Sequence, residues 1–281
     1  MEQRIISPSL LGGFCRFLRE GEYSAATIEK YRREVGQFAA FLGGAPVRKE
    51  AVAGWKAALL ERGYASATVN AKLSALDAFL AFQGWEDCRV KHLRLQRRLF
   101  QAPARELSRG EFHRLVEMAQ DRGRRRLALA LEAICATGIR VSELKYITVE
   151  AAQQGKAEIS LKGKVRTILI PGKLSRKLLK YAGQQKTASG EIFLTRSGKS
   201  LSWKQLWAEM KEAARTAGVA ASKVFPHNLR HLFARVFYQS CRDVAKLADV
   251  LGHSSVETTR IYLISTGAEH AKTLEGLHLI S

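Results

Sequence analysis

The sequence predicts a mainly α-helical protein in two parts: an N-terminal helical bundle, then a mainly helical second domain with a small three-stranded antiparallel sheet. Three observations predict this. A helical plan occurs twice within the first 83 residues, a proline-bearing junction lies near residue 103, and short apolar runs bounded by Gly and Pro are confined to residues 147–170. With 281 residues, 46% of them hydrophobic, the chain can build two ordinary cores.

Residues 23–42 place Ile28, Tyr31, Val35, Phe38 and Leu42 at helical spacing, with Lys30, Arg32 and Arg33 on the opposite face. Residues 64–83 repeat the plan with Val69, Leu73, Leu76, Phe79 and Leu80. Their openings, YSAATI and YASATV, are alike, which predicts two similar hairpins in one bundle. A helix from Arg48 to Arg62 fits between them. Pro103, among small and charged residues, marks a linker. The expected domains are therefore residues 1–100 and 107–281, joined by residues 101–106. Ser108 and Glu111 form a capping box that restarts helix, and helices continue to Leu144. Ile147–Val149, Glu158–Leu161 and Thr167–Ile170 are the three expected strands, with Gly163 in the tight turn between the last two. Pro171-Gly172 stops the sheet, and from Leu174 the pattern is helical again, apart from a turn at Ser197-Gly198-Lys199.

The charge carries functional content. Lys and Arg number 46 against 26 Asp and Glu, a formal net charge of +20. Such an excess attracts polyanions, above all nucleic acid. Membrane-surface binding usually shows a polybasic block beside an amphipathic helix, whereas here the basic residues are spread along the chain. No apolar run reaches the ~18 residues that cross a bilayer, and the N-terminus lacks a basic leader with a sustained apolar stretch. A cytoplasmic chain is the expectation. Cys15, Cys88, Cys135 and Cys241 form no CxxC pair, so free thiols fit better than zinc or a disulfide framework.

Four segments of the second domain carry chemistry. In Ala136–Leu144, Thr137-Gly138 breaks a helix and sets Arg140 beside a helix N-terminus, where its fork can meet a phosphate; the bland alternative is a surface pair with Glu143. Lys162, beside Gly163 in a hairpin tip, can reach out and donate a proton, or be a solvated turn lysine. In Pro226–His231, His227 and Arg230 share a helical face and can donate to one anion. A zinc reading of His227 and His231 is poor, because Asn228 replaces the glutamate base and Arg230 repels the cation. Tyr262 lies nine residues beyond His253 of the LGHSS segment, on the next helix; alone it would be a core or interface residue.

Together and in this order, ATGIRVSEL, HNLRH with Phe233-Ala234, LGHSS and TTRIY resemble the motif boxes of the tyrosine recombinase (phage integrase) family, in its compact Xer-like form. The resemblance covers roughly Leu107 to Tyr262, and residues 1–100 look like the family's SAM-like core-binding domain. It implies a site-specific recombinase that cleaves and rejoins DNA through a 3′-phosphotyrosyl link, for integration and excision of a mobile element or resolution of chromosome dimers. Tyr262 would be the nucleophile, with Arg140, Lys162, His227, Arg230 and His253 around the scissile phosphate. Leu161 stands where the family commonly has Gly, which makes Lys164 the rival of Lys162. No cofactor or metal is implied. The implied partners are duplex DNA with a recombination site and a homotetramer on that DNA, with room for a related recombinase or a DNA-bending accessory protein.

A tyrosine phenol is ionised to only about a thousandth at neutral pH, so the attack needs an electrophilic phosphorus and a proton acceptor. Arg140 and Arg230 can supply the first and His227 the second, with His253 adding a hydrogen bond and Lys162 protonating the leaving oxygen. Candidate DNA contacts are Lys30, Arg33, Asn70 and Lys72 on the polar helix faces, and Arg94, Arg97 and Arg98 near the linker. After Tyr262, Leu274, Leu277 and Ile280 make an apolar stripe, which in the family docks on a neighbouring subunit. A type IB topoisomerase shares the chemistry, but the TGIRVSEL and LGHSS wording favours a recombinase. A non-catalytic regulator would be expected to have lost part of the set, and an RNA-binding protein explains the charge but not the motif order.

Overall fold

The structure is a computed structural model that describes residues 4–95, 106–161, 164–253, 255–260 and 262. The chain divides into two compact units, residues 1–97 and 98–281.

The first unit packs α1 (Pro8–Glu20), α2 (Ala25–Leu42), α3 (Lys49–Glu61) and α4 (Ser66–Phe82). The repeat is visible in its core. Val35 and Phe38 of α2 and Val69, Leu73, Leu76, Phe79 and Leu80 of α4 are buried with Trp55 of α3. The sequence reading assigned no element to the first helix. Gly12 and Gly13 lower its helix propensity, but Ser7 accepts from the Leu10 N–H, Pro8 starts the helix, and Phe14 and Leu18 are buried against the bundle.

The second unit begins with α5 (Arg109–Asp121), where both bonds of the Ser108–Glu111 capping box form. It continues through α6 (Arg125–Thr137), a 3-10 turn (Val141–Tyr146) and α7 (Val149–Gln154). Strands β1 (Lys156–Leu161) and β2 (Lys164–Leu169) pair antiparallel, with Leu161 opposite Lys164. Then follow α8 (Gly172–Gln184), α9 (Trp203–Thr216), α10 (Pro226–Cys241), α11 (Val244–Leu251) and α12 (Val256–Arg260).

The sheet has two strands among the described residues, where three were expected. Ile147–Val149 does not join the hairpin, because Thr148 accepts from the Ala151 N–H and caps α7. Its one bridge is to Glu191. A short β-branched run next to a capping threonine reads as a strand by pattern alone, and the cap decides otherwise. In the hairpin, Ala157, Ile159, Ile168 and Ile170 face the core while Val165 and Leu169 face out. No helix among the described residues is long and apolar enough to cross a membrane.

Candidate active site

Helix α6 ends at Gly138, whose φ of +65° turns the chain out of the helix. A side chain there would meet the Phe233 ring, so the tight packing of α6 against α10 also requires glycine. Two residues on, Arg140 opens the 3-10 turn. The Glu143 carboxylate reaches back to accept from the Arg140 backbone N–H at 2.7 Å and from its Nη1 at 3.0 Å. Glu143 is 1% exposed whereas the Arg140 side chain is 46% exposed. The arginine is thus anchored at its base with its outer edge open to solvent.

Helix α10 starts at Pro226, which sets His227 in the first turn and Arg230 one turn deeper. Arg230 is 1% exposed, the largest fully buried side chain among the described residues. Its Nη1 donates to the Gly138 carbonyl, and Nη2 lies 2.7 Å from the Leu251 carbonyl and 2.9 Å from His253 Nε2. Its Nε is buried with no hydrogen-bond partner among the described residues.

His253 follows Gly252, which ends α11 at φ +65°. A guanidinium only donates, so His253 Nε2 must be the acceptor in the bond to Arg230. The proton then sits on Nδ1, which donates to Thr259 Oγ1 at 2.8 Å. Thr259, in α12, is fully buried. Burial, and then Arg230 and Arg140, push the His253 pKa down to about 4, so the ring is neutral at pH 7.

Tyr262 closes the pocket at 5% exposure. Its ring centroid lies 4.3 Å from that of His231, and 5.5 Å from those of both His227 and His253. It also packs in a small cluster with Ala234, Leu247 and Leu251. Shielding of its inner side lowers the His227 pKa below the usual histidine value, helped by Arg230 and Arg140. Burial, then His227, brings His231 to about 4. Burial also lowers Arg230 to about 10, Arg140 adding to the effect, while Tyr262 opposes it.

The structure thus brings Arg140, His227, Arg230, His253 and Tyr262 into one cluster, and Lys162 lies outside the described residues. It adds His231, Thr259, Glu143 and Arg166, to which sequence reasoning gave no catalytic part. Arg166 of β2 donates to Glu143, and to the carbonyls of Leu251 and, at 3.3 Å, Val250. A sequence signal existed: Arg166 shares its strand face with the buried Ile168 and Ile170. No group of three His, Cys, Asp or Glu that could hold a metal occurs among the described residues.

The candidate DNA contacts separate differently. Lys30, Arg33 and Arg94 are exposed, though Arg33 also bonds Glu34. Lys72 is not on a polar outer face. It is 7% exposed, its ammonium held by the buried Glu34 and, at 2.5 Å, by Gln37. Burial pushes the Glu34 pKa up, but Lys72 and Arg33 outweigh it and hold the carboxyl below its usual range. Asn70 closes both ends of its amide on the backbone of Leu93, at 2.9 Å each, and so pins the segment after α4. Arg97 and Arg98 lie outside the described residues. The four cysteines are free: Cys15 and Cys88 are buried, Cys135 and Cys241 half-buried.

Two arginines, histidines whose pKa values are lowered and a tyrosine thus lie together, a set of side chains with the charge and donors to meet an anionic group. Comparison with known proteins gives the family. The Phage integrase family matches residues 105–269, and the phage integrase N-terminal SAM-like domain matches residues 11–87. The chain belongs to the phage integrase family, the tyrosine-type site-specific recombinases. It is 29% identical to tyrosine recombinase XerA of Pyrococcus furiosus, over 100% of this chain and 98% of that one. It is 31% identical to tyrosine recombinase XerC of Roseiflexus castenholzii, over 86% and 84%. Among solved structures, XerH bound to its difH substrate aligns with a TM-score of 0.69 at 20% identity, over 95% of this chain and 84% of that one. A lambda integrase tetramer on a Holliday junction aligns at 0.72 and 18% identity, over 90% and 76%.

Proposed function

We propose that Tyr262 is the nucleophile with which the protein cuts one DNA strand and hands it to another. Tyr262 Oη forms a bond to the scissile phosphorus while the bond to the 5′ oxygen breaks. The phenol proton passes to His227, and the 5′ oxygen takes a proton from Lys162, with Lys164 the alternative donor. Arg140 and Arg230 hold the non-bridging oxygens, where one preorganised donor is worth ~3–4 kcal/mol of barrier. His253 adds a hydrogen bond on the same side once its proton moves to Nε2, with Nδ1 then accepting from the Thr259 hydroxyl and the Arg230 contact giving way. The product is a 3′-phosphotyrosyl link and a free 5′ hydroxyl. That link keeps the energy of the broken bond, so a second 5′ hydroxyl reverses the step without ATP.

The observation that carries this reading is the packing of Tyr262 directly against His227, His253 and the Arg230 pocket. The low pKa of His227 supports its role, since a neutral imidazole is a ready base at pH 7. The exposed outer edge of Arg140 and the buried, fixed Arg230 suit a clamp with one open side.

In this reading residues 1–100 and 107–281 are a DNA-gripping and a catalytic domain joined by residues 101–106, working in the cytoplasm on a specific duplex site. Lys30, Arg33 and Arg94 contact phosphates. The XerH and lambda integrase structures are described as bound to difH and to a Holliday junction, the latter as a tetramer. A tetramer of this chain on DNA, with residues 263–281 docking on a neighbour, follows by analogy, and a related recombinase or a DNA-bending protein can join it. Deleting residues 270–281 leaves single-strand cleavage largely intact and abolishes recombination; normal recombination by the truncated chain refutes the docking.

The test is a nicked suicide duplex bearing the protein's site, incubated with EDTA and run on a denaturing gel. An adduct that forms with wild type and vanishes in Tyr262→Phe is expected. An adduct that persists in Tyr262→Phe overturns the assignment.

A further inference from the structure

The polar groups beneath the pocket form a closed ring. Arg140 bonds Glu143, and Glu143 bonds Arg166. Arg166 reaches the Leu251 carbonyl, which also accepts from Arg230. Arg230 donates in turn to the carbonyl of Gly138, two residues before Arg140. Arg166 is the member that crosses from β2 to both sides. One nitrogen holds the turn that carries Arg140, and the other holds the end of α11, from which His253 projects.

We infer that Arg166 is a positioning residue for the phosphate clamp, fixing the spacing between Arg140 and the Arg230–His253 side. The inference rests on the reading of the site proposed above. Arg166 is assigned to the support of the clamp because its terminal nitrogens bridge Glu143, which anchors Arg140, and the Leu251 carbonyl, which also anchors Arg230. What it supplies is geometry. Its planar fork reaches a carboxylate and a carbonyl at once, which the single ammonium of lysine cannot match in direction.

Gly252 shows how closely the fold is built around this side chain. A Cβ at Gly252 would fall 2.7 Å from Arg166 Nη1 and 3.0 Å from Nε, and the residue holds φ at +65°. The turn before His253 is therefore bare on the side where the guanidinium passes. Charge gives a second argument. Two guanidinium groups, those of Arg140 and Arg166, share one carboxylate here, and Arg230 lies close enough to feel both as like charges, so the cluster carries excess positive charge that pushes its members apart. With Arg166 gone, Arg140 and Arg230 lose their common reference and drift from the positions at which both meet one phosphate.

The experiment compares adduct formation on two suicide duplexes that differ only at the scissile position, one with the natural phosphate and one with an uncharged methylphosphonate. The duplex sequence is obtained by repeated selection of random DNA on the immobilised full-length protein. A clamp placed to neutralise phosphate charge matters little when that charge is absent. Arg166→Met should slow cleavage of the phosphate roughly hundredfold, as about 1 Å of misplacement does, and of the methylphosphonate less than about tenfold. The ratio of the two rates is read on one preparation, so partial misfolding cancels. Arg166→Lys should resemble Arg166→Met. Gly252→Ala, which keeps the arginine but obstructs it, should shift the ratio in the same direction. Equal slowing on both duplexes, wild-type rates in Arg166→Met, or full recovery in Arg166→Lys overturns the inference. No adduct with wild type on the phosphate duplex instead overturns the proposed function beneath it.

Discussion

Replacing Gly138 with alanine tests how tightly the α6–α10 junction sets the pocket. Alanine at a φ of +65° carries a left-handed penalty of ~1 kcal/mol. Its Cβ would also lie 2.5 Å from Phe233 Cε1 and 3.1 Å from Leu251 Cδ2, closer than carbon atoms tolerate. Overpacking of that kind costs ~1–3 kcal/mol. The sum, ~2–4 kcal/mol, lowers the melting temperature by about 10 °C at the ~2–4 °C per kcal/mol typical of a domain this size. Because the Gly138 carbonyl accepts from Arg230, the adduct rate should fall as well. Phe233→Leu in the same chain should recover the steric part and leave the backbone part, giving a coupling of about 1 kcal/mol or more in a double-mutant cycle. Thermal melts of the four proteins read it directly. A loss below ~1 kcal/mol in Gly138→Ala, or strictly additive effects in the cycle, would refute the reasoning.

Two further outcomes follow from the interior charges. His231 and His253 have folded pKa values of about 4, against an ordinary value of 6.5. Between those limits the unfolded chain holds more protons, so stability is full above pH 6.5 and declines as pH falls toward 4. Melts at pH 7 and pH 5 should show the loss, and His231→Gln should reduce it; equal melting temperatures for wild type at the two pH values contradict this. Lys72→Met leaves the 4%-exposed Glu34 without its ammonium and should cost ~3 kcal/mol, most of it regained by adding Glu34→Leu. Measured in the same way, a neutral Lys72→Met would place that lysine outside the bundle's interior after all.

Legibility in the sequence followed the range of the interactions. The α2 and α4 faces, the Ser108–Glu111 box and the break at Gly138 are local, and they were readable because period, cap and φ are properties of a few adjacent residues. Thr148 shows the limit of pattern within that range, since a β-branched triplet and a helix cap use the same letters. Lys72 and Asn70 failed for another reason. Both sit where a helical wheel suggests solvent, but α2 and the segment after α4 cover them, and only the packed bundle shows that. Glu143 and Arg166 lie 23 residues apart, and nothing in either segment announces the bond between them. His231 was visible as a residue but was weighed only as a zinc ligand, because its contact with Tyr262 depends on where α12 delivers the tyrosine.

The enclosure of Tyr262 bears on fidelity. Burying an aromatic side chain is worth ~2 kcal/mol to folding, so if Tyr262 acts as proposed, freeing its phenol to meet a phosphate must be compensated by contacts with DNA. A duplex that fits poorly can still adhere through charge, given the excess of basic residues, yet leave that compensation incomplete. Discrimination is then exercised twice, once when the duplex is held and again when the ring is drawn out. In the proposed reading, a nucleophile kept behind three imidazoles is harmless to most of the DNA that the protein's positive charge gathers.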